Sequence, residues 1–172
     1  MSKKHKITSA EVKSEQKAKP KRIVEMLCIT EEDLRLGDID LNCRYLAIVV
    51  RPGARNVPDY AFKGVDVDTV YLPNSTKYIG YESFENSTIR KVLVREEKNN
   101  KMSGVYKPLK SKPISIGKAA FRGCKNLQVL EPEIAEIKDL AFEGAIVDDD
   151  TLNTIQGTLY EDLALSGLTY RT

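Results

Sequence analysis

The 172-residue sequence predicts an α/β solenoid in which short coils stack on one another, with a parallel β-sheet along one face and a short helical cap at each end. Three observations carry this prediction. An aliphatic residue followed five positions later by phenylalanine recurs along the chain, at Val57/Phe62, Ile79/Phe84, Ile116/Phe121 and Ile137/Phe142. After the first two rings the apolar residues return at the same offsets, as Val67, Val70 and Leu72 and then Ile89, Val92 and Val94. Helix-start signals flank the repeats on both sides. Recurrence at such a period marks units too small to bury an apolar face alone, which gain a continuous core by stacking.

Residues 1–22, "MSKKHKITSAEVKSEQKAKPKR", hold eight Lys or Arg against Glu11 and Glu15. Low hydrophobicity and repeated lysine predict a tail that is disordered when free. Its candidate contacts are Lys3, Lys4, Lys6, Lys19, Lys21 and Arg22, which suit an anionic surface such as RNA or an acidic protein, because clustered lysine releases counterions from phosphate. Without interleaved aromatics, any such contact to RNA is blind to sequence.

Residues 23–44 are expected to cap the first coil. In "ITEEDLRLG", Thr30 is followed three positions later by Asp33, a capping-box-like start, and Gly37 offers a stop.

Residues 45–150 carry the repeats. Spacings between the phenylalanines are 22, 37 and 21, and the long one becomes ordinary once the basic segment 95–113 is set aside as an insertion. Tyr45, Ile48, Val50 and Val57 fit as a degenerate first copy, so about four and a half turns are expected. In the third copy the offsets slip by one, to Leu127 and Leu130. Spacings such as Val70-x-Leu72 and Val92-x-Val94 read as short strands of period two, which Pro73 and Pro132 end because proline cannot donate to a ladder. The insertion holds six Lys or Arg against two acids, and Lys107, Lys110 and Lys112 are its candidate basic contacts. A loop inserted in one repeat sits on one face of a solenoid, where recognition loops are found.

Residues 151–172 are expected to form a helical C-terminal cap. Leu152, Ile155, Leu159 and Leu163 fall at helical spacing behind Asp149 and Asp150, with Gly157 weakening the helix and Gly167 available to end it; a further frayed repeat is the alternative.

The residues "IGKAAFRGCKNLQVL" at 116–130 resemble, almost position by position, the frame of the BspA-type leucine-rich repeat. The resemblance covers about residues 45–150, strong in the third copy, good in the first two and partial in the last, where Lys138 replaces the usual glycine. It implies a curved leucine-rich-repeat coil stack with a binding role, commonly adhesion or protein contact. Many members are secreted or surface proteins of bacteria and microbial eukaryotes.

Composition and motifs narrow the function. Hydrophobic content of 41% with 30% charged residues is ordinary for a globular protein, and no apolar run reaches the roughly 20 residues that cross a bilayer. No hydrophobic segment follows the basic start, so the expectation is an intracellular, cytoplasmic protein, with a surface or exported one as the alternative. Cys28, Cys43 and Cys124 are odd in number and have neither a C-x-x-C spacing nor a histidine partner, which predicts reduced thiols, no disulfide framework and no metal site. His5, the sole histidine, lies in the tail, and no phosphate loop or nucleophile elbow occurs, so neither catalysis nor a cofactor is expected. Asp148, Asp149 and Asp150 read as a helix N-terminus, Cys124 as packing, and the sequons at Asn74 and Asn86 as polar turns.

Binding is therefore the expected function, through a protein partner of unknown identity. With the strand register above, Val49, Tyr71 and Leu93 form an apolar ladder on the outer sheet face, with Thr69 and Lys91 beside them. Aromatic and aliphatic anchors carry most interface energy, so these five residues are the candidate partner-binding site. The alternatives are a subunit of a ribonucleoprotein or multiprotein assembly, with tail and insertion on RNA, and an exported adhesion protein. In each case the N-terminal segment or the insertion folding over the sheet would close the face.

Overall fold

In the computed structural model the described residues are 21–95, 97–98, 101–102, 112–156 and 169–170. They form about five stacked coils, of which the last four each contribute to three walls.

The first wall is a five-stranded parallel sheet. It contains β1 (Arg22–Ile29), β2 (Cys43–Val50), β4 (Asp66–Pro73), β6 (Lys91–Arg95) and β10 (Val129–Leu130), adjacent in that order. Leu27, Ile48, Val70, Val92 and Leu130 lie in one row across it and face inward. The second wall is a four-stranded parallel sheet of very short strands, β3 (Asn56–Val57), β5 (Tyr78–Ile79), β9 (Ile114–Ile116) and β11 (Ile134–Ile137). Its inward residues Val57, Ile79, Ile116 and Ile137 are the aliphatic members of the sequence frame.

The third wall is made of the phenylalanine turns. Phe62, Phe84, Phe121 and Phe142 are fully buried, and their rings stack at centroid distances of 4.8, 5.0 and 5.3 Å with interplanar angles of 18°, 6° and 6°. Backbone hydrogen bonds run from coil to coil beside them: Phe62 N donates to Ser83 O at 2.6 Å, Phe84 N to Ala120 O at 2.8 Å and Phe121 N to Ala141 O at 2.7 Å. The turn needs left-handed backbone twice. Gly64, Asn86, Gly123 and Gly144 hold the later position with φ between 55° and 70°, where glycine and asparagine are tolerated. Tyr60, Glu82, Ala119 and Leu140 hold the earlier one at φ 62°, 48°, 55° and 59°, which costs non-glycine residues about 1–2 kcal/mol each. Inter-coil bonds offset that cost, since Tyr60 N, Glu82 N and Ala119 N donate to the next coil at 2.9, 3.1 and 3.1 Å.

The chain ends close the stack differently. Residues 23–29 were expected within the N-terminal cap and Arg22 within the tail, yet together they form strand β1, which extends the sheet one coil toward the N-terminus. This coil lacks a phenylalanine, so the search for the ring could not reveal it. Helix α1 (Glu31–Leu36) follows, with Asp33 N donating to Thr30 Oγ1 at 3.1 Å, Thr30 N to Asp33 Oδ2 at 2.9 Å, and Gly37 left-handed at φ 75°. Glu31 Oε2 accepts the Arg55 N–H at 2.8 Å, which occupies the outer edge of the second sheet beside β3. At the other end, α2 (Asp149–Gln156) starts on Asp148, whose Oδ1 accepts Thr151 N at 3.0 Å, buries Ile155 and packs on β10. β12 (Ile146–Val147) pairs in parallel with β13 (Thr169–Tyr170), so the segment after α2 also returns one strand to the stack. Leu159, Leu163, Gly157 and Gly167 lie outside the described residues.

The insertion opens with an antiparallel pair, β7 (Glu97–Lys98) and β8 (Lys101–Met102). Lys107 and Lys110 lie outside the described residues, as do Lys3, Lys4, Lys6 and Lys19. Lys21 Nζ sits 3.4 Å from Asp66 Oδ2, Arg22 is the first residue of β1, and Lys112 is exposed.

A charge ladder ties the turns together. Lys63, Glu85 and Arg122 each directly follow a core phenylalanine, and Glu82 lies beside them. Lys63 Nζ meets Glu82 Oε2 and Glu85 Oε2 at 2.5 Å each, while Arg122 donates to Glu85 Oε1 at 2.7 Å and to Glu82 Oε1 at 2.9 Å. The Lys63 ammonium, with Tyr81 assisting, holds the Glu82 carboxyl at about 2 rather than the ordinary 4.5. A depressed folded-state value contributes stability that is complete above pH 4.5 and is lost as pH falls through about 2. Urea midpoints should therefore fall across that acid window. The Lys63→Met variant should show a shallower fall, and an unchanged slope would remove Lys63 as the cause.

Candidate interaction surface

The outer face of the five-stranded sheet carries the residues singled out from sequence, and parallel in-register pairing brings them into rows. Cys28, Val49, Tyr71 and Leu93 oppose one another across β1, β2, β4 and β6. Met26, Ala47, Thr69, Lys91 and Val129 form the adjacent row. All five candidate residues thus lie in two neighbouring rows.

Their accessibility differs from the expectation of an open face. Val49 is 2% and Thr69 7% exposed, whereas Tyr71, Lys91 and Leu93 are half-buried. Val49 belongs to the outer row and not to the interior cluster, and its short side chain stands between Cys28 and Tyr71 in the ladder. Thr69 is drawn down by its own hydroxyl, which donates to Asp68 Oδ2 at 3.0 Å. The accessible part of the ladder is therefore Tyr71 and Leu93.

Two features of this face were not legible as parts of a site. Arg95, two residues beyond Leu93, places its guanidinium 3.6 Å from the centre of the Tyr71 ring, a cation–π contact across adjacent strands. Its position beyond Leu93 was the available signal, but the residue reads as the start of the insertion. The second is the apolar character of the edge strand, where Ile23 is 63% and Met26 56% exposed, beside Leu46 at 44% on β2.

At the opposite end of the strands lies a polar groove of about 380 Å³ lined by residues including Arg44, Asp66, Asp68, Thr88 and Arg90. Its charges are largely matched within it: Thr88 Oγ1 donates to Asp66 Oδ1 at 2.9 Å, and Arg90 Nη1 to Asp68 Oδ1 at 3.2 Å. Such internally paired groups tie the rim together and leave little for an added ion.

Nucleophilic chemistry has no foothold at Cys124. Its thiol donates to Phe84 O at 3.0 Å, and burial pushes its pKa up to about 12, so it is a protonated packing group at neutral pH. It occupies the same turn position as Val65, Ser87 and Ala145, three residues after each ring. Among the described residues no group of three or more His, Cys, Asp or Glu could hold a metal ion, and no helix is long and apolar enough to cross a membrane.

Stacked parallel coils around an apolar ladder, with a broad outer sheet face, define a leucine-rich-repeat solenoid. The chain belongs to the family described as the BspA type leucine rich repeat region, whose model matches in six copies over residues 41–144 and 99–160. No curated protein and no solved structure matches the chain. Membership suggests a protein-interaction or adhesion-type module, on a fold that is typically non-catalytic.

Proposed function

We propose that the protein is a non-catalytic interaction module that binds a protein partner through the outer face of the five-stranded sheet. Tyr71, Lys91 and Leu93 form its accessible part, with Val49 and Thr69 buried in the same two rows, and the basic residues of the tail and insertion make secondary contacts. One observation carries this reading: an apolar row, Cys28–Val49–Tyr71–Leu93, crosses four strands in register on the side away from the core. A row of this kind on an outer face suits a partner better than water does. Tyr71 and Leu93 are its accessible anchors.

The test is capture of the native partner from a lysate of the source cells, with nuclease present. Tyr71→Ser combined with Leu93→Ser should abolish capture while the far-ultraviolet circular dichroism stays unchanged. Undiminished capture by the folded double variant would move the site away from this face.

A further inference from the structure

We infer that the Tyr71–Arg95 pair is a carboxylate-recognition site, and that the partner segment on the sheet face is an acidic stretch of protein. This rests on the proposed use of that face for binding and adds the chemistry of what it takes.

The first ground is the geometry of Arg95. An aromatic ring in contact with a guanidinium limits its freedom to turn and leaves N–H donors at its rim for another partner. At 3.6 Å from the Tyr71 centroid, Arg95 is held in this way by a residue one strand away. A planar fork fixed before binding matches a carboxylate bidentately, and less ordering entropy is lost on contact. The same stacking argues against a nucleobase, because the guanidinium already fills the face of Tyr71 on which a base would stack.

The second ground is charge complementarity across the face. Asp66 and Asp68, at the opposite end of the strands, are engaged by Lys21 and Thr88 and by Arg90 and Thr69, and Glu131 accepts the Val94 N–H at 2.6 Å. Glu25 stands on the edge strand, three strands from Arg95. Among the described residues no carboxylate pairs with Arg95 or with Lys91, which stands in the neighbouring row. Among the described side chains, Arg95 and Lys91 are thus cations beside Tyr71 and Leu93 that no carboxylate pairs with, and an apolar floor lies next to them. An extended segment alternating acidic and apolar side chains satisfies both at once.

The experiment uses the full chain and fluorescence anisotropy with three labelled probes: a short peptide alternating glutamate and leucine, its glutamine–leucine counterpart, and a short oligouridine. The glutamate peptide should bind about tenfold or more tighter than the glutamine one, and Arg95→Gln should remove that difference. Tyr71→Leu, which keeps an apolar side chain but releases the guanidinium, should remove part of it. Equal binding of the two peptides, or a preference that survives Arg95→Gln, overturns the proposal, as does oligouridine competing with the peptide in an Arg95-dependent way. Failure here is distinguishable from failure of the binding face itself. Partner capture that is lost in the Tyr71→Ser, Leu93→Ser protein but insensitive to Arg95→Gln leaves the face in place and removes only the carboxylate chemistry.

Discussion

Phe121→Ala should lower the unfolding free energy by about 3–5 kcal/mol, the range for truncating a buried aromatic ring. Phe121, like Phe84, stacks on both sides, 5.0 Å from Phe84 and 5.3 Å from Phe142, at 6° to each. Its removal opens a gap in the middle of the column, and the coil cannot collapse to fill it. The turn is tied to both neighbours, through Phe84 N to Ala120 O at 2.8 Å and Phe121 N to Ala141 O at 2.7 Å. Urea unfolding followed by circular dichroism measures the loss. A cost below about 1 kcal/mol would mean that the ring column is not the spine of the stack.

Gly117→Ala should cost about 3 kcal/mol, at the upper end for overpacking, although the added atom is a single methyl. A Cβ at this position would meet the Tyr78 hydroxyl at 2.7 Å, the Gly80 carbonyl carbon at 2.8 Å and Ile79 O at 2.8 Å. Two of these are backbone atoms of the preceding coil. Gly117 N donates to Ile79 O at 2.8 Å, so relieving the clash means breaking the bond that sets the coil spacing. Gly80 faces the same constraint one coil earlier, against Val57 O and Asp59 N at 2.7 Å. The same unfolding experiment decides the matter, and a variant as stable as the parent would show that the coils can move apart at that corner. The family frame places glycine after the aliphatic residue, and this close approach is the physical reason.

The parts of the fold that were readable are those in which each coil must solve the same problem. Each unit needs one ring and one aliphatic residue pointing inward, so Phe62, Phe84, Phe121 and Phe142 mark the period directly. A nearly constant repeat length also conveys the register. Residues 49, 71 and 93 are 22 apart and oppose one another, as the spacing predicts. The first coil escaped this logic because Val24, Leu27 and Ile29 pack inward without a phenylalanine to announce them.

What stayed hidden depends on neighbours distant in sequence. Lys63, Glu85 and Arg122 each follow a phenylalanine and alternate in sign. That Lys63 and Arg122 share the nearly buried carboxylates of Glu82 and Glu85 emerges only when coils 19 to 40 positions apart come together. The left-handed positions Tyr60, Glu82, Ala119 and Leu140 have no common side chain. Their conformation is imposed by the inter-coil hydrogen bonds of the turn and not by residue preference.

By itself the sequence determined most of the architecture: the repeat length, the inward residues of the coils that carry a phenylalanine, the phenylalanine column, the strand register and the capping signals at Thr30 and in the acidic run 148–150. These follow from local spacing, and stacking similar units preserves them. Only the tertiary structure decided which outer-face residues meet solvent, burying Val49 and Thr69 while leaving Tyr71 and Leu93 partly accessible. It also set Arg95 on Tyr71. Accessibility and side-chain pairing are properties of the space between strands, and adjacent strands contribute residues about one repeat apart.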